Sequence, residues 1–241
     1  MHVSTRSSVL QPVRPRILVS VRDAGEAEVA VRARADLVDA KDPDRGALGA
    51  LGADAVRAIV ARVGGRAATS AVAGELDTDT GIVGAVETMA TTGVDWIKIA
   101  VSHGVDDVAL VRAAAAAPTR LIAVLFAEDG DPLDTIERLV AAGFAGAMID
   151  TRGKAGLRLT DHLPPRVLGA FVDACRAHGL VSGLAGSLRV TDIPVLVGYG
   201  PDYLGLRGGL CVGGDRRNAL EAARVADAVG VARGCRCRDA A

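Results

Sequence analysis

Short apolar runs alternate with amphipathic stretches along nearly the whole chain, and the alternation repeats eight times. Runs at 16–21, 37–41, 66–72, 94–101, 119–126, 146–150, 180–185 and 203–207 have the length and apolar content of buried strands. Between and after them, 23–34, 50–63, 78–92, 105–116, 132–142, 165–178, 190–197 and 215–229 read as helices. Strict alternation implies a parallel sheet covered by helices. Eight units of roughly 25 to 30 residues each favour closure into a single α/β domain, a (β/α)8 barrel, over an open doubly wound sheet. Hydrophobic residues make up 50% of the chain and aromatics only 2%. The core must therefore be Ala, Val, Leu and Ile, as parallel sheets prefer. The polar segment 1–14 is expected to be a flexible arm, 15–229 the barrel and 230–241 a disordered tail.

The same composition excludes several function classes. A formal net charge of −1, no basic stripe and few aromatics argue against nucleic-acid binding. The start of the chain has no apolar signal core, and no run approaches the roughly 18 residues of a membrane span. A cytoplasmic location is expected, with no membrane partner. Cys175, Cys211, Cys235 and Cys237 show no paired spacing, and no His/Cys/Glu group has metal-ligand spacing, so no metal is expected. His103, His162 and His178 read as surface residues. No GxGxxG follows the first strand, which disfavours a dinucleotide, and no cofactor is expected.

Of the 28 lysines and arginines, only Lys41, Lys98 and Lys154 are lysine. Each lies in or just after an apolar strand run, accompanied by Asp39, Asp95 or Asp150. Lysine, unlike arginine, can lose its proton when desolvated and attack a carbonyl as a free amine. In a (β/α)8 barrel the active site lies at the carboxyl ends of the strands, which is where these residues fall. Ammonium groups crowded into one pocket repel, so at least one pKa should fall. Lys41, Lys98, Lys154, Asp39 and Asp150 are thus candidates for Schiff-base chemistry and proton transfer. A set of mutually satisfied ion pairs is the structural alternative. These properties leave open whether Lys41 or Lys154 is the covalent one.

A second signal comes from the loops after the seventh and eighth strands, the usual phosphate site of this fold. Gly186-Ser187 and Arg207-Gly208-Gly209, followed by further glycines up to Asp215, let backbone amides approach an anion closely. With Ser20 at the end of the first strand, they form the candidate substrate and phosphate site. An amine nucleophile beside a phosphate cradle points to a phosphorylated aldehyde or ketone.

Six motifs in order carry a resemblance. They are Leu18-Val-Ser20; Asp39-Ala-Lys-Asp-Pro43 with Gly46-Ala-Leu-Gly49; Asp95-Trp-Ile-Lys98; Met148-Ile-Asp-Thr151 with Lys154; Leu184-Ala-Gly-Ser187; and Arg207-Gly-Gly209 with Gly213-Gly-Asp-Arg216. Over about 17–229 the chain resembles the (5-formylfuran-3-yl)methyl phosphate synthases of methanofuran biosynthesis. The resemblance implies a (β/α)8 barrel that joins two molecules of glyceraldehyde 3-phosphate into a phosphorylated furan aldehyde. It implies Lys41 as the Schiff-base lysine, with Asp39, Lys98, Asp150 and Lys154 in acid–base roles. Two other readings stand beside it: a class I aldolase of another sugar phosphate, and a non-catalytic barrel that binds a phosphorylated metabolite. The sequence leaves the oligomeric state open, a homo-oligomer included.

Overall fold

Successive side chains of a strand point to opposite faces, so a closed barrel of strands has one face toward its lumen and one toward its surrounding helices. A computed structural model describes residues 14–76, 81–102, 104–118, 120–153 and 157–235. Its strands are β1 (Arg16–Val21), β2 (Leu37–Ala40), β3 (Ala68–Leu76), β4 (Trp96–Val101), β5 (Leu121–Phe126), β6 (Gly146–Asp150), β7 (Val181–Leu184) and β8 (Tyr203–Leu206). They pair in parallel in sequence order, and β8 returns to β1, closing the barrel. The helices are α1 (Ala24–Arg32), α2 (Ala53–Val63), α3 (Gly81–Ala90), α4 (Asp107–Ala116), α5 (Leu133–Ala142), α6 (Leu159–His162), α7 (Pro165–Ala177), α8 (Ile193–Val197) and α9 (Ala222–Gly234). The expected (β/α)8 barrel is what forms.

The parity of each strand divides the core in two. Ile17, Val19 and Val21 of β1 join Val38, Ile97, Ile99 and Ile149 in the layer beneath the helices, against residues such as Ala27, Ile59 and Phe171. Leu18 faces the lumen, where it packs with Leu37, Ile122, Val124, Met148 and Tyr203. Those inward residues close the floor of the barrel. Polar groups occupy the inward positions nearer the carboxyl ends. The Tyr203 ring fits the lumen only because its neighbour on β7 is glycine: a Cβ on Gly183 would stand 2.4 Å from the ring.

Local sequence explains most element boundaries. Asp23 caps α1 by accepting the amide of Glu26 at 2.8 Å, as its position before an apolar-periodic run predicts. Three expectations need correction. The third strand continues to Leu76, beyond 72, because a register shift between Val72 and Gly74 lets its pairing with β4 resume. The last helix starts at Ala222, not at 215. Asp215 instead binds the backbone and side chain of Arg217, and a bridge between Cys211 and Leu220 closes the intervening loop. That helix runs to Gly234, so 230–234 are helical and not part of a disordered tail. The arm up to residue 13, His103, Lys154 and Cys237 lie outside the described residues.

Gly183→Ala is expected to cost about 1–3 kcal/mol through overpacking against Tyr203. Gly84→Ala, at an exposed α3 position with open space around its Cβ, is expected to stabilise by about 0.5–1 kcal/mol. Urea denaturation of both variants checks the pair of opposite signs.

Candidate active site

The register of the barrel sets the site. Ser20, Asp39 and Ser70 are partners across β1, β2 and β3, so their side chains form one inward layer. Both carboxylate oxygens of Asp39 are occupied: Ser20 Oγ donates to Oδ2 at 3.1 Å and Ser70 Oγ to Oδ1 at 2.6 Å. Lys98, from β4, places its Nζ 2.9 Å from the same Oδ1. The Lys98 amine also lies 5.8 Å from the Tyr203 ring centroid. One step closer to the mouth, Lys41 Nζ donates to Asp150 Oδ2 at 3.3 Å, and Thr151 N donates to Asp150 Oδ1 at 2.7 Å. Two ammonium–carboxylate pairs are thus stacked in the lumen, and their four side chains are all buried.

Burial is the main influence on Lys98, pushing its amine below the ordinary lysine value; Asp39 opposes the shift and the nearby Lys41 cation adds to it. The Tyr203 phenol is driven far above its usual value, again mainly by burial. Its hydroxyl donates to Met148 Sδ at 3.4 Å.

Above these pairs opens a cavity of about 1020 Å³. Ser20, Asp39, Lys41, Lys98 and Asp150 line it, together with the loops after β7 and β8. In those loops the amides of Gly186, Ser187, Gly208 and Gly209 have no hydrogen-bond partner among the described residues, and all four residues line the cavity. Gly186 has φ of +116°, and a Cβ there would meet Thr151 at 2.7 Å, so only glycine suits that turn. Ser187 follows with φ of +51°. Open amides on a tightly bent loop are what an anion cradle requires.

Arg207 is placed differently from its sequence assignment. Its five N–H donors are all spent within the protein: on Arg216 O, Ser20 O, Asn218 O and both oxygens of Glu26. No donor remains for an anion, because a guanidinium has five and no more. Arg207 is a strut that ties the loop after β8 to β1 and α1. The loop after β6 is also pinned. Glu128 accepts the amides of Arg152 and Gly153, each at 2.9 Å, while Arg152 stacks on Phe126 and pairs with Glu75 and Asp129. Among the described residues no cluster of three or more His, Cys, Asp or Glu side chains is arranged to hold a metal ion.

A family model described as 4-HFC-P synthase matches residues 17–229. The chain belongs to that family. It is 63% identical over 220 residues to the putative (5-formylfuran-3-yl)methyl phosphate synthase of Methylorubrum extorquens, covering 91% of this chain and 92% of that one. The (5-formylfuran-3-yl)methyl phosphate synthase of Methanopyrus kandleri is 36% identical, covering 85% of this chain and 92% of the relative. Among solved structures, 3-hexulose-6-phosphate synthase from Salmonella typhimurium superposes with a TM-score of 0.67 at 15% identity, covering 91% of this chain and 99% of that one. Phosphoribosyl anthranilate isomerase from Thermotoga maritima gives 0.66 at 11%, with coverage of 91% and 99%. These likenesses concern the barrel alone. The family membership makes this chain an enzyme of the synthase type.

In this 4-HFC-P synthase relative, the structure brings together Lys41, Lys98, Asp39, Asp150, Ser20 and the four cradle residues from six strands' ends. Sequence reasoning missed Glu26, Glu128, Arg152 and Arg216. Glu26 sits in the first turn of α1 and is buried; only the fold supplies its Arg207 partner.

Lys98→Met leaves Asp39 buried with two hydroxyl donors and no cation, and is expected to cost about 3–5 kcal/mol. The double variant Lys98→Met/Asp39→Asn should recover much of that loss. Urea midpoints of the single and double variants test whether the pair behaves as a coupled unit.

Proposed function

We propose that the enzyme condenses two molecules of glyceraldehyde 3-phosphate into (5-formylfuran-3-yl)methyl phosphate through an imine on Lys41. The observation that carries this reading is the position of Lys41: buried beside Asp150, above the Lys98–Asp39 pair, and opening into a cavity with loop amides that are unpartnered among the described residues. Asp150 stands within reach of the Lys41 amine and accepts its proton, freeing the nucleophile. Lys98, held by Asp39, lies beneath Lys41 in the lumen. The names of the relatives support the product.

In this mechanism Lys41 attacks the carbonyl of the first triose phosphate and expels water as the imine forms. Removal of the proton next to the imine carbon, by Asp150 with Lys154, gives the enamine, and phosphate leaves one of the trioses. The enamine carbon attacks the aldehyde of the second triose. Ring closure and dehydration then form the furan, and hydrolysis returns Lys41. The balance is two triose phosphates giving one furan phosphate, one inorganic phosphate and two waters. The imine serves as electron sink. Gly186, Ser187, Gly208 and Gly209 hold the phosphate that is retained. The reaction counts as carbon–oxygen lyase chemistry, and its product would feed a methanofuran-type C1 carrier in the cytoplasm. Among the described residues no helix is long and apolar enough to cross a membrane.

Borohydride added during turnover should leave a reduced triose adduct on Lys41, located by peptide mass spectrometry. Lys41→Arg keeps the charge and should lower furan formation by about 1000-fold or more. An adduct on Lys154 instead would exchange the two lysines' roles. A wild-type protein that binds substrate but traps on no lysine would sink the imine mechanism. Adducts without the ultraviolet absorbance of a furan aldehyde would point to a simple aldolase.

A further inference from the structure

Condensation of two phosphorylated trioses brings two dianions into one cavity, and the loop cradle accounts for one. The cavity, about 1020 Å³, is at the upper end of the roughly 300–1000 Å³ usual for ligand sites and much larger than one triose phosphate needs. Its wall carries Arg158, Arg189, Arg207, Arg216, Arg217 and Arg224. Four of these are neutralised: Arg158 by Asp161 and Asp192, Arg207 by Glu26, Arg217 by Asp215 and Arg224 by Glu221. Arg189 and Arg216 have no carboxylate within ion-pair distance among the described residues. Arg189 is exposed and lies two residues beyond Ser187 of the cradle.

Arg216 is the more constrained of the two. Its Cβ lies 3.8 Å from where a Gly208 Cβ would stand, so its backbone borders the cradle. Its guanidinium reaches to the loop after β2, where the carbonyl of Gly46 is its sole hydrogen-bond partner among the described residues. Burial pushes this guanidinium below the ordinary arginine value, and Asp150 is the strongest of the carboxylates acting on it from a distance. It is a half-buried cation with most of its donors unspent among the described residues, and it lines the same cavity as the Lys41–Asp150 pair. Cations so placed are retained where an anion arrives to complete them.

We propose that Arg216 forms a second anion subsite, distinct from the Gly186–Gly209 cradle, that binds the phosphate of the second triose. The proposal rests on the condensation reading above. Arg216 bridges the cavity mouth from the loop after β8 to the loop after β2, so an anion bound there sits above Lys41 and Asp150. The cradle holds the triose that becomes covalently attached; Arg216 holds the one that is attacked.

The test separates the two binding events in Arg216→Ala and Arg216→Lys. One assay measures borohydride-trapped adduct on Lys41 as glyceraldehyde 3-phosphate is varied, and the other measures furan absorbance over the same range. For Arg216→Ala, the half-saturating concentration for trapping should stay within about twofold of wild type. Furan formation at low substrate should fall about 10- to 100-fold, the worth of one charge-assisted hydrogen bond. Arg216→Lys should restore part of it, and thermal midpoints of both variants should match wild type. Equal loss of trapping and furan formation would place Arg216 in the cradle and overturn the second subsite, as would no loss of either. If the wild type forms neither adduct nor furan, the condensation reading fails and the subsite falls with it.

Discussion

Four charged side chains inside a barrel lumen are the constraint to which the rest of this structure answers. Asp39 with Lys98, and Lys41 with Asp150, sit where a stability-optimised barrel would place Val, Ile and Leu. Desolvating such groups is costly, and burying a pair seldom improves on a well-packed apolar replacement. The surroundings show how the cost is contained. Asp39 has two hydroxyl donors besides its ammonium partner, and Lys98 borders the face of an aromatic ring. The floor below is largely apolar, built from Leu18, Leu37, Ile122, Val124, Met148 and Tyr203. An ammonium held out of water in this way is the kind of group that reacts as an amine.

A second buried ion pair performs a different task. Glu26 and Arg207 join the first helix to the loop after the last strand, across the seam where β8 meets β1. Because Arg207 also holds Arg216 O and Asn218 O, it fixes the loop that presents Gly208, Gly209 and Arg216 to the cavity. Although it stands beside a glycine loop, this arginine contributes by shape. Arg216, nine residues on, has no ion-pair partner among the described residues. The division of labour between the two follows from carboxylate placement: Glu26 pairs with one, and among the described residues no carboxylate comes within ion-pair distance of the other.

The sequence by itself determined the architecture. Eight apolar runs alternating with amphipathic ones have few ways to bury both sheet faces, and closure satisfies all of them. β6 was legible to the residue, since Gly146 and Asp150 bracket a short continuous apolar run. The scarcity of lysine and its recurrence at strand ends pointed to the candidate site, because a strand-end position in this fold already fixes which rim a side chain occupies. Strand period then placed Asp39 and Lys41 on one face, and Asp150 with Met148 on one face.

Only the tertiary structure decided which charge meets which. Lys41 pairs with Asp150, 109 residues away, and Lys98 with Asp39, because barrel register sets those distances and no local rule encodes register between non-adjacent strands. The same reason hid Glu26 and misassigned Arg207: a guanidinium beside a glycine loop looks like an anion ligand until its donors are counted in three dimensions. The last helix was expected to open at Asp215, but that carboxylate binds Arg217 and the helix begins at Ala222. Local patterning chose the elements; long-range pairing of a few buried charges chose their roles.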